Sequence, residues 1–118
     1  MNMITPSNIS LNKDKKTLTI RFQAIYYSLS SEFLRVHSPS AEVLGHSPGQ
    51  EILQLNKENV VINKIRPVGN YAIAIHYSDY HNTGIYSWNY LHYLSLNQGK
   101  LWEKYSQKVI NIEIDSSQ

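Results

Sequence analysis

Apolar and polar residues alternate at Ile9 and Leu11 and again at Leu18, Ile20 and Phe22, the period of two that turns one face of a strand toward a core. The polar run Asn12 to Lys16 between them reads as a turn, so the chain opens on a hairpin. An apolar stretch, Ala24 to Tyr27, leads into a short helix expected at about residues 31–36, with Ser30 as its cap and Leu29 packing on Leu34 as a staple. Residues 36–50 hold two prolines and two glycines, which punctuate rather than propagate structure, and read as an ordered loop. Ile52 to Leu55 suggests a short strand and Val60 to Ile65 a better one, before a turn at Pro67 to Asn70. Tyr71 to Tyr77 is almost unbroken in apolar or aromatic side chains, as expected of a central strand buried on both faces. The polar turn 78–84 and the resumed pattern at Ile85 and Tyr86 predict a second hairpin. Ser87 then caps a helix from Trp88 to about Leu96, and Asn97 caps another, residues 98 to about 110, with Leu101, Trp102, Tyr105 and Val109 on one stripe. Asn111 to Gln118 lacks a strong pattern and is expected to fray.

These elements predict an α+β fold: a small antiparallel β-sheet with hairpins, one short helix after the N-terminal strands and two C-terminal helices packed on the sheet. At 118 residues one domain is expected, spanning 1–118 with an ordered core at about 9–110. The absence of cysteine from the sequence excludes disulfides, thiolate metal sites and a cysteine nucleophile, so stability must come from packing. The net charge of +2 is local and small, with five basic residues against two acids in residues 1–35 and near balance beyond. Only Lys13, Lys15, Lys16 and Arg21 approach a basic stripe, and beside Asn12 and Asp14 they read more simply as a solvated turn, so nucleic acid is not expected as a partner. Met1 to Ser10 shows no basic, then apolar, targeting pattern, and no stretch is long enough to span a bilayer, so the expected location is cytoplasmic, without membrane association.

Five histidines and a few carboxylates are the candidates for chemistry. If the 36–50 loop packs on the 78–84 turn, His37 or His46, Glu42, Asp79 and His81 converge, and imidazole with carboxylate is a usable set for a divalent metal. No local spacing enforces it, and the simpler reading makes His81 a hydrogen-bonding residue of its own loop. No serine lies in a nucleophile elbow, and the glycines form no phosphate-binding or dinucleotide fingerprint. Trp88, Tyr90, Trp102 and Tyr105 read as core before they read as a groove.

Four blocks in order carry a resemblance: 33–43 (FLRVHSPSAEV), 45–50 (GHSPGQ), 68–73 (VGNYAI) and 78–88 (SDYHNTGIYSW). Together they resemble the DUF971 family, also called gamma-butyrobetaine hydroxylase-like N-terminal, over about residues 9–108. In hydroxylases of this kind the domain precedes an iron- and 2-oxoglutarate-dependent catalytic domain and is a zinc module with three Cys and one His. The resemblance places those ligands at Ser38, Ser40, Val43 and His81, where only the histidine is kept. Neutral hydroxyls and a valine cannot replace thiolates, so no cofactor is expected, and the Ser-Pro-Ser-Ala-Glu-Val version resembles the short bacterial members. The module uses up the 118 residues, so no oxygenase activity is expected. Relatives appended to iron–sulfur carrier ATPases suggest, by association, a role near iron–sulfur or other iron-dependent metabolism. The family usually has Gly where Tyr80 stands, a departure that bears on how His81 is aimed.

The resulting expectation is a non-catalytic accessory or protein-interaction domain, with Arg35, Ser38, Ser40, Glu42, His46, Asp79 and His81 as its binding surface and another protein as its partner. The alternative is a metal-binding protein, for iron or zinc, with His46, His81, Glu42 and Asp79 as ligands in place of the lost thiolates. Neither reading fixes an oligomeric state.

Overall fold

The computed structural model describes residues 4–45, 47 and 49–116. Strands β1 (Asn8–Leu11), β2 (Thr17–Phe22) and β3 (Ile25–Ser30) form one antiparallel sheet in that order, and β4 (Ile62–Val68), β5 (Ala72–Tyr77) and β6 (Gly84–Ser87) form another. Between them lie α1 (Ser31–Val36) and the single turn α2 (Ala41–Leu44); α3 (Trp88–Leu96) and α4 (Gln98–Ser116) follow the second sheet. The α+β class and the order of elements agree with the sequence pattern, with the strands divided between two three-stranded sheets.

The hairpin of β1 and β2 pairs Ile9 with Ile20 and Leu11 with Leu18, so the apolar residues of both strands share the inner face. Of the stretch Ala24 to Tyr27, given no element from its pattern, Ile25 to Tyr27 belong to β3, which pairs Leu29 with Leu18, and Ala24 lies in the turn before it. Leu18, Ile20, Leu29 and Leu34 are fully buried, each contributing roughly 1.5–3 kcal/mol of apolar transfer. The two sheets are tied at the β1–β2 turn, where the Ile62 amide donates to the Lys15 carbonyl at 2.8 Å, and at α1, where Ser31 Oγ donates to the Val60 carbonyl at 2.7 Å.

β5 is the central strand of its sheet and is buried on both faces: Ile73, Ile75 and Tyr77 enter the core, and Ala72 and Ala74 are covered on the other side. Ser30 and Ser87 cap α1 and α3 as expected, their hydroxyls accepting from the amides of Phe33 and Tyr90. Asn97 serves both C-terminal helices: it is the C-cap of α3, its side-chain amide donating back to the Tyr93 carbonyl at 2.8 Å, and its own carbonyl accepts the Leu101 amide of α4 at 2.9 Å.

Three other expectations need correction. Residues 52–55 form no strand, because Ile52 donates its amide to Val43 of the neighbouring loop rather than to a strand. The ordered loop contains the helical turn α2. The expected frayed tail is helical to Ser116, so α4 runs for 19 residues, or about 28 Å at ~1.5 Å per residue. Among the described residues no helix is long and apolar enough to cross a membrane.

Candidate functional site

α1 ends at Val36 and delivers the chain into the 37–54 loop, which folds against the turn between β5 and β6. Three polar fasteners join them, and they use six of the seven residues expected to form a binding surface. His46, the seventh, lies outside the described residues.

The first fastener is ionic. Arg35 is only 6 % exposed; its Nε meets Asp79 Oδ2 at 3.0 Å and its Nη1 donates to Gln54 Oε1 at 3.0 Å. Lys57 Nζ reaches the same carboxylate oxygen at 2.9 Å. Burial works to raise the Asp79 carboxyl, but hydrogen bonds from Lys57 and Arg35 outweigh it and hold the group below the usual carboxylate range. Asp79 Oδ1 in turn accepts the His81 backbone amide at 3.3 Å, which fixes the turn.

The second is a triangle of side chains. His81 Nε2 lies 2.8 Å from Ser38 Oγ and 3.2 Å from Ser40 Oγ, and the two hydroxyls are 3.3 Å apart. Ser38 is fully buried and Ser40 nearly so, while His81 is half-buried. Desolvation, helped by the nearby Arg35 charge, lowers the His81 pKa and favours the neutral imidazole. The third is Thr83 Oγ1 donating to Glu42 Oε2 at 2.8 Å, which together with Ser40 keeps that exposed carboxyl below its ordinary value.

Behind the triangle, β6 approaches so closely that a Cβ on Gly84 would stand 2.5 Å from Ser38 Oγ and 3.0 Å from the Tyr86 ring. Tyr86 donates its hydroxyl to the Leu34 carbonyl at 2.6 Å, so Tyr77, 2.7 Å away, must donate to Tyr86. Burial pushes both phenols above their usual range. Tyr90 anchors the loop from α3, donating to the His37 carbonyl at 2.6 Å, and its phenol is pushed up to about 12, first by burial and then by Tyr93. Tyr105 does the same from α4, donating to the Gln54 carbonyl. Lys57, Gln54 and Thr83 were not legible as site residues, and Tyr90 and Tyr105 were read as core before groove; the partners of all five are 19 to 53 positions away in the chain.

Two surfaces frame these fasteners. A cleft of about 450 Å³ opens between the loop and α4, with Val36, Val43, Ile52 and Leu101 among its apolar lining and His37, Lys104 and Lys108 among its polar lining. On the other side the β5–β6 turn projects Tyr80, which is 93 % exposed and held at φ +67°.

The chemistry available is limited by what these contacts consume. Ser38 and His81 are as close as a nucleophile and its base, but Ser38 has no exposed surface, and Asp79 meets the His81 backbone and the cations rather than the imidazole. The metal expectation does not find its geometry either. Glu42 is bonded to Thr83 and Asp79 to Arg35 and Lys57, and among the described residues no three His, Asp or Glu side chains gather about one point. At the positions that the family resemblance assigns to zinc ligands, two neutral hydroxyls already satisfied by an imidazole, beside a buried valine, do not fit that ion.

Paired three-stranded sheets, a loop locked onto a hairpin turn and a C-terminal helix pair define a small α+β module. The chain belongs to the family described as gamma-butyrobetaine hydroxylase-like, N-terminal, which it matches over residues 9–92. A protein solved by NMR in solution is 42 % identical, over 95 % of this chain and 89 % of its own, with a TM-score of 0.84. A second NMR structure, also 42 % identical, covers 95 % of this chain and 84 % of its own with a TM-score of 0.80. The crystal structure of a DUF971-family protein of unknown function from Acidithiobacillus ferrooxidans is 33 % identical over 77 % of this chain and 92 % of its own, with a TM-score of 0.64. Among curated proteins none matches this chain.

Proposed function

We propose that this chain is a non-catalytic accessory domain that binds another protein through the β5–β6 turn, with Tyr80 as the central contact. The observation that carries the reading is the conjunction of exposure and backbone strain at one residue. Tyr80 is 93 % exposed at φ +67°, a left-handed conformation that costs a bulky side chain about 1 kcal/mol or more. Its ring contributes no burial to offset that cost, so the fold gains nothing from a tyrosine where a glycine would sit without strain.

The polar residues expected to make the contact act mainly as its support. Arg35, Ser38 and Ser40 are buried, and with Asp79 and His81 they fix the turn from beneath, so that little of its backbone entropy remains to be lost on association. An aromatic anchor on a pre-organised loop is the arrangement that concentrates binding energy in protein interfaces.

The test replaces Tyr80 with a photo-crosslinking phenylalanine analogue in cells and, separately, compares wild type with Tyr80→Gly. A discrete heteromeric adduct, with Tyr80→Gly as stable as wild type or about 1 kcal/mol more so but unable to retain the crosslinked partner, is the expected result. A destabilised Tyr80→Gly, or a partner retained as well without the ring, would show that the tyrosine serves the fold and sink the reading.

A further inference from the structure

α4 carries a second surface, which shares only Tyr105 with the anchors of the loop. Between this helix, the N-terminal end of α1 and the 55–58 segment runs a groove of about 540 Å³. Its apolar floor is Leu55, Trp102, Tyr105, Val109 and Ile110, of which Leu55, Trp102 and Ile110 are each at least 36 % exposed. Trp102 and Tyr105 lie 5.2 Å apart, ring centre to ring centre, and form an aromatic corner at the floor.

The rim has a single sign. Glu32, Glu58 and Glu113 line the groove, and none of the described lining residues is a lysine or arginine, in a protein whose net charge is +2. These carboxylates act on their surroundings as uncompensated charge. Partial burial and then the neighbouring Glu58 raise the Glu32 pKa, and the fields of both glutamates add to burial in raising that of Tyr105. Among the described residues neither glutamate is in an ion pair. Like charges crowded beside exposed aromatic faces make a poor arrangement for the isolated chain and a good one for a cation, which gains both the carboxylates and the ring quadrupoles.

We propose that this groove binds a basic amphipathic segment of a partner protein, its apolar side on Trp102, Val109 and Ile110 and its lysine or arginine side chains between Glu32, Glu58 and Glu113. This surface is separate from Tyr80 and goes beyond the reading given for that turn; either stands if the other fails.

The probe is a synthetic helical peptide of leucine and lysine, titrated into the whole protein while tryptophan emission is followed. Trp88 is 8 % exposed and Trp102 36 %, so Trp102→Phe identifies which ring responds. We expect a Trp102-dependent shift, with affinity falling several-fold as salt rises from about 50 to 200 mM. The Glu32→Gln/Glu58→Gln variant, which removes the mutual repulsion and so leaves the fold intact by circular dichroism, should bind at least tenfold more weakly, and Tyr80→Gly should bind as wild type. Equal binding of a control peptide with glutamate in place of every lysine, or unchanged affinity in the double glutamine variant, would overturn the proposal. So would sedimentation of the protein as a dimer with Trp102 shielded, which would make a second copy of the chain the occupant.

Discussion

Ser40 stands at the N-cap of α2, where a serine hydroxyl ordinarily accepts an amide of the first turn, yet it makes no such bond and lies instead 3.2 Å from His81 Nε2. Forgoing a cap costs about 1 kcal/mol, so the triangle with Ser38 and His81 takes precedence over the local helix. That triangle is pH-sensitive in a direction the residues fix. Desolvation is the first cause lowering the pKa of both His81 and His37, so each folded value lies below the ordinary 6.5. A depressed value means that the unfolded chain binds the proton more readily, so the stabilisation is complete above about pH 6.5 and is lost as pH falls through the folded values. The lowered Asp79 carboxyl acts in the same direction at more acid pH, against the opposing sign of Glu32, whose raised value gives stability that is lost as pH rises. Thermal midpoints should therefore fall from about pH 7.5 to 5.5, and the fall should be shallower in His81→Gln. A flat profile over that range would mean that the imidazoles are not desolvated as the geometry requires.

At the scale of elements, α4 differs from the rest of the fold in how little it buries. Its apolar residues Leu101, Tyr105 and Val109 are half-buried and Ile110 is 46 % exposed, whereas α3 places Leu91 and Leu94 wholly inside. Local opening follows burial, so amide exchange should be slowest through α3 and the first two turns of α4 and should quicken from Asn111 to Ser116. Uniform protection along α4 would show that its second half is held as firmly as its first. The same contrast explains what the sequence could convey. Strands β2 and β5 and helix α3 were legible because burial imposes a period or an unbroken apolar run, and Ser30 and Ser87 mark their helices by capping. The far end of α4 was not, because Asn111, Glu113 and Asp115 alternate with Ile112 and Ile114 in a pattern with no helical face. α2 was hidden for a related reason: only Val43 of its four residues is buried, and one turn cannot display a period. At the site, convergence of Ser38, Ser40 and His81 followed from the family resemblance, whereas Lys57 beside Asp79 is a long-range contact with no local mark.

For the whole molecule, the question is what holds a proline- and glycine-broken loop onto a sheet when the loop brings few apolar side chains with it. From 37 to 54, Val43 is the one described apolar residue that is buried, and it lies outside the main hydrophobic cluster, so burial alone is a weak attachment. Polar contacts supply the rest: Arg35, which joins Gln54 of the loop to Asp79 of the turn, the Ser38–Ser40–His81 triangle, the exposed pair Glu42 and Thr83, and the two tyrosines that reach loop carbonyls. A metal with thiolate ligands would do the same work through one point, and the positions for it persist here. Ser38 and Ser40 already meet His81 Nε2, and the family resemblance assigns the third thiolate to Val43, the buried residue of α2. The variant Ser38→Cys/Ser40→Cys/Val43→Cys should accordingly take up one zinc per chain, with His81 as the fourth ligand. Linkage makes the outcome measurable, since free zinc a thousandfold above the dissociation constant adds about 4 kcal/mol, which a chelator should remove. The same three cysteines with His81→Ala should bind far more weakly. Full uptake without the histidine, or none with it, would mean that the triangle is a hydrogen-bonded solution with its own geometry rather than one that superimposes on a metal centre.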